Sequence, residues 1–150
     1  MKNKEAIILI GIQASGKSSY YQQNFSHYIH VNLDTLHTRH KEDIMLQECL
    51  RNQKSFVVDN TNPTMEEREK YISLAKEHGY MVHGYYFRSA ISDCIERNKL
   101  REGTARVPDK ALACTHGKLE LPQYQEGFDK LFYVQIVDGR FVTEVWDETS

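Results

Sequence analysis

A short apolar run followed by a glycine-rich loop constrains this chain more than any other feature. Residues 11–18 read G-I-Q-A-S-G-K-S and match every specified position of the phosphate-binding pattern G-x-x-x-x-G-K-[ST]. The apolar run 6–10 predicts a buried strand, and residues 19–25 can continue as a helix. A strand, loop and helix in this order point main-chain amides at a phosphate, and the helix adds its positive dipole end. Because a chance glycine-rich turn rarely has this context, the loop predicts a nucleoside triphosphate site.

Each position of this P-loop has an expected task. We expect Gly11 and Gly16 to allow backbone angles that bend the loop around phosphates. Lys17 should reach the β- and γ-phosphates, and the Ser18 hydroxyl should bind Mg²⁺. The expected cofactors are therefore ATP and Mg²⁺. The predicted nucleotide-binding residues of the loop are Gly11, Ile12, Gln13, Ala14, Ser15, Gly16, Lys17, Ser18 and Ser19.

Strand patterns and helix patterns alternate along the chain. Helical spacing or capping signals occur at about 41–53, 64–79, 89–100 and 108–118, and strands are predicted at 6–10, 28–31, 55–59 and 80–87. Two alternating apolar and polar segments, 131–137 and 141–146, flank Asp138-Gly139, which is typical of a hairpin turn.

This order of elements predicts the α/β class. The expected architecture is a P-loop NTPase-type three-layer αβα sandwich, with a mainly parallel five-stranded sheet and a C-terminal β-hairpin. We expect one domain over 1–150, with a lid region at about 99–110 and a C-terminal extension at about 121–150. Ligand sites of such sheets lie at the carboxyl ends of the strands.

Composition and charge exclude several other classes. A hydrophobic content of 40% and a charged content of 27% are ordinary for a globular protein. No apolar run approaches the ~20 residues of a membrane helix. Residues 1–5 run straight into the first predicted strand, so we expect no secretory signal. The net charge of −2 argues against a nonspecific nucleic-acid coat protein. We therefore expect a cytoplasmic protein with no membrane partner, and the sequence indicates no particular oligomeric state.

Neither the cysteines nor the histidines form a recognisable site pattern. Cys49, Cys94 and Cys114 are odd in number and far apart, so we expect no disulfide partner. The seven histidines lack the spacing of a metal-binding helix. For the histidines, ordinary surface or strand positions are the favoured interpretation.

Two acids follow predicted strands and are candidates for the chemistry. Asp34 comes just after the second strand, where it could accept the proton of an attacking hydroxyl. Helix capping explains an aspartate in such a loop equally well. Asp59 ends the apolar run 56–58, and a strand-end acid beside a P-loop can orient Mg²⁺ or hold Ser18. For Asp59 the functional interpretation is favoured.

Basic residues cluster around the predicted loop after the fourth long helix. Phosphoryl transfer spreads negative charge over oxygens that an arginine can stabilise. Arg101 lies at the helix-to-loop junction, where a lid residue is expected. For Lys99 and Arg97, the alternative interpretation is an ordinary charged residue on the surface of a helix.

Four segments in order resemble the kinase domain of phage-type 5′-polynucleotide kinases, a group of P-loop kinases. They are the P-loop at 11–18, V-N-L-D at 31–34, V-V-D-N-T-N-P at 57–63 followed by Glu67-Arg68, and residues 97–108 with Arg97-Asn98, Arg101, Gly103-Thr104 and Val107-Pro108. The resemblance covers residues 5 to about 118, and its third and fourth segments are the most specific.

The resemblance implies transfer of the ATP γ-phosphate to a 5′-hydroxyl of DNA or RNA, so that a nucleic acid end is the substrate. It implies that Lys17 and Ser18 hold the phosphates and Mg²⁺, and that Asp34 is the general base. It makes Arg101 the lid arginine on the ATP phosphates, with Arg97 also in the nucleotide site, and Asp59 the acid that supports the metal.

One position departs from the resemblance. Family members usually have an arginine three residues after the general base, where it contacts the acceptor phosphate. Here that residue is His37, and the nearest arginine is Arg39. Offsets of three and five point in different directions on one helix. Either Arg39 reaches the acceptor from a shifted loop, or the acceptor site differs.

Two other functions remain open at this stage. A P-loop kinase of a small metabolite, nucleoside or antibiotic is favoured by His37 and by the acidic balance of the chain. An ATP-binding regulator without transfer activity is disfavoured because Lys17, Ser18, Asp34 and Arg101 are all present. GTP is disfavoured as the donor because residues 98–101 lack the acid of an N-K-x-D motif.

Overall fold

The computed structural model describes residues 4–146, which form one sheet covered by helices. The strands are β1 (Glu5–Ile10), β2 (Ile29–Val31), β3 (Phe56–Val58), β4 (Met81–Phe87), β5 (Lys130–Val137) and β6 (Arg140–Val145). They lie in the order β2-β3-β1-β4-β5-β6. All neighbouring strands pair in parallel except β5 and β6, which are antiparallel.

The predicted α/β sandwich is confirmed, but within residues 4–146 the sheet has six strands, where we expected five strands and a C-terminal hairpin. β5 pairs in parallel with β4, with Tyr85 opposite Phe132, so the hairpin strands extend the sheet itself. The alternating pattern of these segments predicts strands correctly, but it carries no information on which sheet edge receives them.

Helices lie in the connections between successive strands, except between β5 and β6, which a tight turn joins. Apart from the short α2, each corresponds to a predicted or expected helix with bounds shifted by a few residues. They are α1 (Lys17–Asn24), α2 (Leu33–Leu36), α3 (Arg39–Arg51), α4 (Met65–Glu77), α5 (Ile91–Lys99) and α6 (Asp109–Lys118), with 3₁₀ turns at Gly103–Ala105 and Tyr124–Glu126. Across residues 4–146, no helix has both the length and the apolar character to cross a bilayer.

Strand β1 is buried on both faces because it lies inside the sheet with helices on either side. Ala6, Ile8 and Ile10 join the core beneath α3 and α4, whereas Ile7 and Leu9 pack with Tyr20 of α1. A continuous apolar run is the expected signature of such a strand. A third apolar cluster, formed by Ile12, Ala14, Cys94 and Leu112, packs α5 and α6 against the P-loop. Cys94 and Cys49 are buried and Cys114 is exposed, and their thiols are free.

The strand order brings three segments together at one edge of the sheet. The P-loop follows β1, Asn32 follows β2, and Asp59 follows β3. Because β3 lies between β2 and β1, the acids after β2 and β3 come next to the P-loop. The fold therefore places the predicted site residues on one side of the molecule.

Candidate active site

The two P-loop glycines are required for different reasons. Gly16 has a φ of 103°, in the left-handed region that glycine adopts without strain. Gly11 is not among the positive-φ glycines, so our expectation of a special backbone angle there is wrong. A Cβ on Gly11 would lie 2.8 Å from Ser15 Oγ and 3.1 Å from Phe87 Cβ. Gly11 is needed because the loop folds back closely on itself and on β4.

Arg97 supports the loop from the side of α5. Ala14 has a left-handed φ of 63°, an uncommon conformation for a residue with a Cβ. The Arg97 Nε donates a 2.7 Å hydrogen bond to the carbonyl of Ala14. Arg97 does not line the cavity described below, so direct contact between Arg97 and a nucleotide stays a prediction.

A cavity of about 280 Å³ opens at the carboxyl edge of the sheet. Most of the predicted site residues line this cavity, and so do several polar residues that the sequence analysis did not select. Its lining comprises Gln13, Ala14, Lys17, Ser18, Asn32, Leu33, Asp34, Arg39, Asp59, Asn60, Thr61, Asn62, Glu67, Tyr71, Arg101, Ala105 and Val107.

Lys17 is buried beneath the loop and bound to its carbonyls. Its Nζ donates to the main-chain oxygens of Gly11 and Ile12, each at 2.9 Å. Burial lowers the pKa of Lys17 to about 8, against the opposing attraction of Asp59. The α1 helix begins at Lys17 with Gly16 as its N-cap, and no side chain caps its first turn. These helix amides and the ammonium therefore face a place where an anion can bind.

Asp59 connects the P-loop helix to β2. The Ser18 hydroxyl donates to Asp59 Oδ2 at 2.8 Å, and His30 Nε2 lies 2.7 Å from the same oxygen. Burial would raise the pKa of Asp59, but the hydrogen bond with His30, the charge of Lys17 and the Ser18 hydroxyl lower it below its usual value. The carboxylate is therefore charged at neutral pH. Our interpretation of His30 as an ordinary strand histidine missed this contact, which depends on β2 lying beside β3.

Ser18 and Asp59 together could bind a magnesium ion. Ser18 and Asp59 provide a hydroxyl and an ionised carboxylate, the hard oxygen donors that Mg²⁺ prefers. They lie in the same cavity as Lys17, beside the uncapped amino end of α1. Ions of this kind are bound by one or two protein oxygens together with phosphate oxygens and water.

Asp34 is free to act on a ligand because a neighbour caps the helix. The capping residue of α2 is Asn32, whose Oδ1 accepts from Thr35 N at 3.2 Å. Asp34 lies in the first turn, is exposed and lines the cavity. Its carboxylate has no hydrogen bond to any residue between 4 and 146. The capping interpretation of Asp34 is therefore wrong, while its role as a base stays a prediction.

Arg39 reaches the same cavity from a separate helix. Residue 37 adopts a left-handed φ of 71° that ends α2, and α3 begins at Arg39. The Arg39 Nη1 donates to Tyr71 Oη at 2.9 Å and to Glu42 Oε1 at 3.3 Å. Its side chain is 58% exposed, which leaves the rest of the guanidinium open to a ligand.

A buried carboxylate organises this side of the cavity. Glu42 is 0% exposed and accepts hydrogen bonds from Tyr71 Oη at 2.8 Å and from Asn60 Nδ2 at 2.9 Å. Burial and the charge of Glu42 raise the pKa of Tyr71, which keeps its hydroxyl a donor. No local pattern selects Glu42, because an acid in a helix usually faces solvent.

Arg101 closes the cavity on the side of the predicted lid. It follows the end of α5 and lines the cavity together with Ala105 and Val107. Its Nη1 donates to the carbonyl of Ala105 at 3.2 Å, so it also braces the turn that follows. The position suits a cation that contacts phosphate, although that contact stays a prediction.

Arg68 is a buried residue that holds segments next to the site in place through hydrogen bonds. Its side chain is fully buried and donates to Glu126 Oε1 at 2.8 Å and Oε2 at 3.1 Å. It also donates to the carbonyl of Asn62 at 2.9 Å, while the Asn62 amide donates to Leu9 O at the end of β1. Arg68 thus fastens both the segment after β3 and the C-terminal extension beside the strand that carries the P-loop.

A family model described as AAA domain matches residues 7–122. Two curated relatives cover most of this chain. A putative bifunctional polynucleotide phosphatase/kinase of Acanthamoeba polyphaga mimivirus is 34% identical over 139 residues, which are 87% of this chain and 33% of that protein. The bifunctional polynucleotide phosphatase/kinase of Schizosaccharomyces pombe is 30% identical over 151 residues, covering 97% of this chain and 37% of that protein.

These findings confirm the resemblance to polynucleotide kinases. The chain spans about a third of the length of the curated relatives it matches. Among solved structures, a gluconokinase from Sinorhizobium meliloti 1021 matches with a TM-score of 0.62 at 20% identity, covering 90% of this chain and 84% of that one. At that identity the match supports the P-loop fold and nothing more specific.

Proposed function

The chain belongs to the AAA domain family, and from that premise we propose that it transfers the γ-phosphate of ATP to a 5′-hydroxyl of DNA or RNA. One observation carries the proposal. Asp34, with an unengaged carboxylate, shares a single cavity with Lys17 of the P-loop and with Arg101. A kinase needs a phosphate cradle and a base on opposite sides of one cleft. The two relatives named polynucleotide phosphatase/kinase support the choice of acceptor.

On the donor side, the P-loop amides and Lys17 would hold the triphosphate. Lys17 would exchange its two main-chain carbonyls for phosphate oxygens. Ser18 and Asp59 would hold Mg²⁺, which when bound supplies positive charge against the charge that develops on the phosphoryl oxygens. Arg101 would add a second cation from the lid region at about 99–110, and Arg97 would keep the loop in shape.

On the acceptor side, Asp34 would accept the proton of the 5′-hydroxyl while Arg39 binds a phosphate of the same strand. The Glu42 and Tyr71 contacts fix one nitrogen of Arg39 and leave the others available. An arginine held in this way loses less side-chain entropy when it binds a phosphate. Arg39 would thus take the role that the family arginine has at the position of His37.

A small hydroxyl compound is the second candidate acceptor. The observation in its favour is the carboxylate of Glu67, which lines the cavity and would repel a phosphate but accept from hydroxyl groups. An ATP-binding regulator without transfer activity is the least favoured alternative, because Lys17, Asp34 and Arg101 all line the cavity. The three free cysteines support a reducing, cytoplasmic setting.

An acceptor screen tests the proposal. The purified chain is incubated with γ-labelled ATP and Mg²⁺, and with either a 5′-hydroxyl oligonucleotide or a panel of sugars and nucleosides. We expect label on the oligonucleotide, and none on the same oligonucleotide that already has a 5′-phosphate. Label confined to small molecules would select the second candidate. Nucleotide binding without any transfer would select the regulator.

A further inference from the structure

His30 does not line the cavity, but it contacts Asp59, which does. The His30 side chain is 28% exposed and is absent from the cavity lining, whereas the Asp59 side chain is 1% exposed. Their closest atoms, His30 Nε2 and Asp59 Oδ2, are 2.7 Å apart. His30 pairs with Val57 across β2 and β3, two residues before Asp59 on the same sheet face. The sheet register therefore sets this contact.

The imidazole is held in place by an aromatic neighbour. The Tyr21 ring stacks on His30 with centroids 4.0 Å apart and planes inclined by 11°. The Tyr21 hydroxyl donates to the carbonyl of Tyr28 at 2.6 Å, which fixes the tyrosine in turn. Tyr21 lies on α1 as Ser18 does, so the helix that presents the serine also orients the histidine.

The two contacts of the Asp59 carboxylate fall on the same oxygen. Ser18 Oγ and His30 Nε2 both lie within 2.8 Å of Oδ2, and no group among residues 4–146 donates to Oδ1. Two partners on one oxygen restrain rotation of the carboxylate. They also leave its second oxygen without a protein partner, although the side chain is almost fully buried.

A satisfied structural carboxylate would not need this arrangement. Two other acids with largely buried side chains, Glu42 and Glu126, use both oxygens for protein contacts. Glu42 accepts from Tyr71 and Asn60. Glu126 likewise receives Arg68 on both oxygens. The one-sided contacts of Asp59 distinguish it from these acids and are those expected of a carboxylate held for a ligand.

We propose that His30 is a positioning residue that orients Asp59 for the magnesium ion of Mg·ATP. The inference rests on the proposed function only in that the P-loop binds a magnesium nucleotide, and it does not depend on the acceptor. Residues that orient a metal-binding group typically change metal affinity by about 10- to 100-fold when they are replaced. A histidine that served only for packing would change stability without affecting the response to magnesium.

Calorimetry of nucleotide binding separates these roles. The probe is the β,γ-imido analogue of ATP, titrated with and without Mg²⁺, so that the readout is affinity and not turnover. His30→Phe keeps a ring to stack on Tyr21 but has no group to contact Asp59, whereas His30→Gln retains a donor. His78→Phe is the matched control, because within residues 4–146 the one hydrogen bond of the His78 ring is to the carbonyl of Leu74, at 2.8 Å, and His78 lies outside the cavity.

We expect His30→Phe to bind the analogue with wild-type affinity when Mg²⁺ is absent. The increase in affinity that Mg²⁺ produces should be about tenfold smaller in His30→Phe than in the wild type. His30→Gln should recover most of that gain, and His78→Phe should behave as the wild type. An undiminished magnesium effect in His30→Phe would overturn the inference. So would equal losses with and without Mg²⁺, which indicate a packing role. If His30→Phe does not fold, His30→Asn, which is too short to reach Oδ2, is judged by the same criteria. A wild-type chain with no magnesium effect would overturn both the inference and the proposed function.

Discussion

Asp34 and Arg39 line one cavity although they belong to different helices. The left-handed backbone of His37 ends α2, and Thr38 caps α3 by accepting from Lys41 N. The five-residue offset between the acid and the arginine is therefore not measured along one helix. The change of direction between α2 and α3 brings Arg39 to the cavity that Asp34 lines.

Replacement of Arg39 should weaken acceptor binding more than catalysis. We expect Arg39→Ala to raise KM for a 5′-hydroxyl oligonucleotide about tenfold with little change in kcat, because one phosphate contact is lost. The slope of log affinity against log salt should become shallower by about one. Steady-state kinetics at several salt concentrations measure both quantities.

Arg51→Ala is the matched control for that experiment, since Arg51 is exposed at the far end of the same helix. It should leave KM and the salt slope unchanged. Equal effects of the two variants would mean that Arg39 contributes only general charge.

Removal of the proposed base should slow the chemical step alone. We expect Asp34→Asn to reduce kcat by a factor on the order of 10² or more, because an amide cannot accept the proton of the attacking hydroxyl. Affinity for ATP should stay within about twofold, since Asp34 does not belong to the P-loop. Single-turnover transfer and calorimetry measure the two quantities.

Asp138→Asn is the control, because asparagine tolerates the left-handed φ of 51° at this hairpin position. An unchanged rate in Asp34→Asn would make Asp34 an ordinary turn residue.

ATP binding should be coupled to the protonation of Lys17. Burial lowers the pKa of Lys17 to about 8 in the nucleotide-free protein. Phosphate oxygens near the ammonium would raise that pKa, so the complex holds more protons than the free protein above pH 8. Affinity should therefore fall as the pH rises through about 8, whereas this group has no effect well below pH 8.

Calorimetry in two buffers of different ionisation enthalpy, at pH 8.5, should reveal uptake of part of a proton on ATP binding. Lys17→Met should bind ATP more weakly and without this uptake. Uptake that persists in Lys17→Met would assign the proton to another group.

The buried Arg68–Glu126 pair should contribute much more to stability than an exposed pair. We expect Glu126→Ala to reduce the free energy of unfolding by about 3–5 kcal/mol, because it leaves the fully buried guanidinium without its partner. Lys76→Ala removes the exposed pair with Asp129 and should cost about 1 kcal/mol or less. Urea denaturation of both variants measures the difference. Similar losses in the two variants would mean that water reaches Arg68 once Glu126 is gone.

Local patterns were sufficient to predict the elements that build the site. The P-loop, Asp34, Asp59 and Arg101 each follow a predicted strand or helix, and residues of all four line the cavity. Their position at one edge of the sheet could be predicted because the carboxyl ends of parallel strands meet there.

Apart from the contact between Ser18 and Asp59, the sequence alone did not predict the partners of those residues. His30, Glu42 and Arg68 are ordinary residues of a strand or helix until a distant segment is placed against them. His30 and Asp59 are 29 residues apart, Glu42 and Tyr71 are also 29 apart, and Arg68 and Glu126 are 58 apart. No spacing rule connects positions at such separations.

By itself, the sequence determined that this protein has a phosphate-binding loop between a buried strand and a helix, because glycine, lysine and serine at fixed offsets specify that geometry locally. Only the tertiary structure decided which strand lies beside which, that the hairpin extends the sheet, and that Arg39 reaches the cavity of Asp34. The physical reason is that strand order and buried polar pairs depend on packing and desolvation between distant segments. A short run of neighbouring residues does not specify which segments will pack against it.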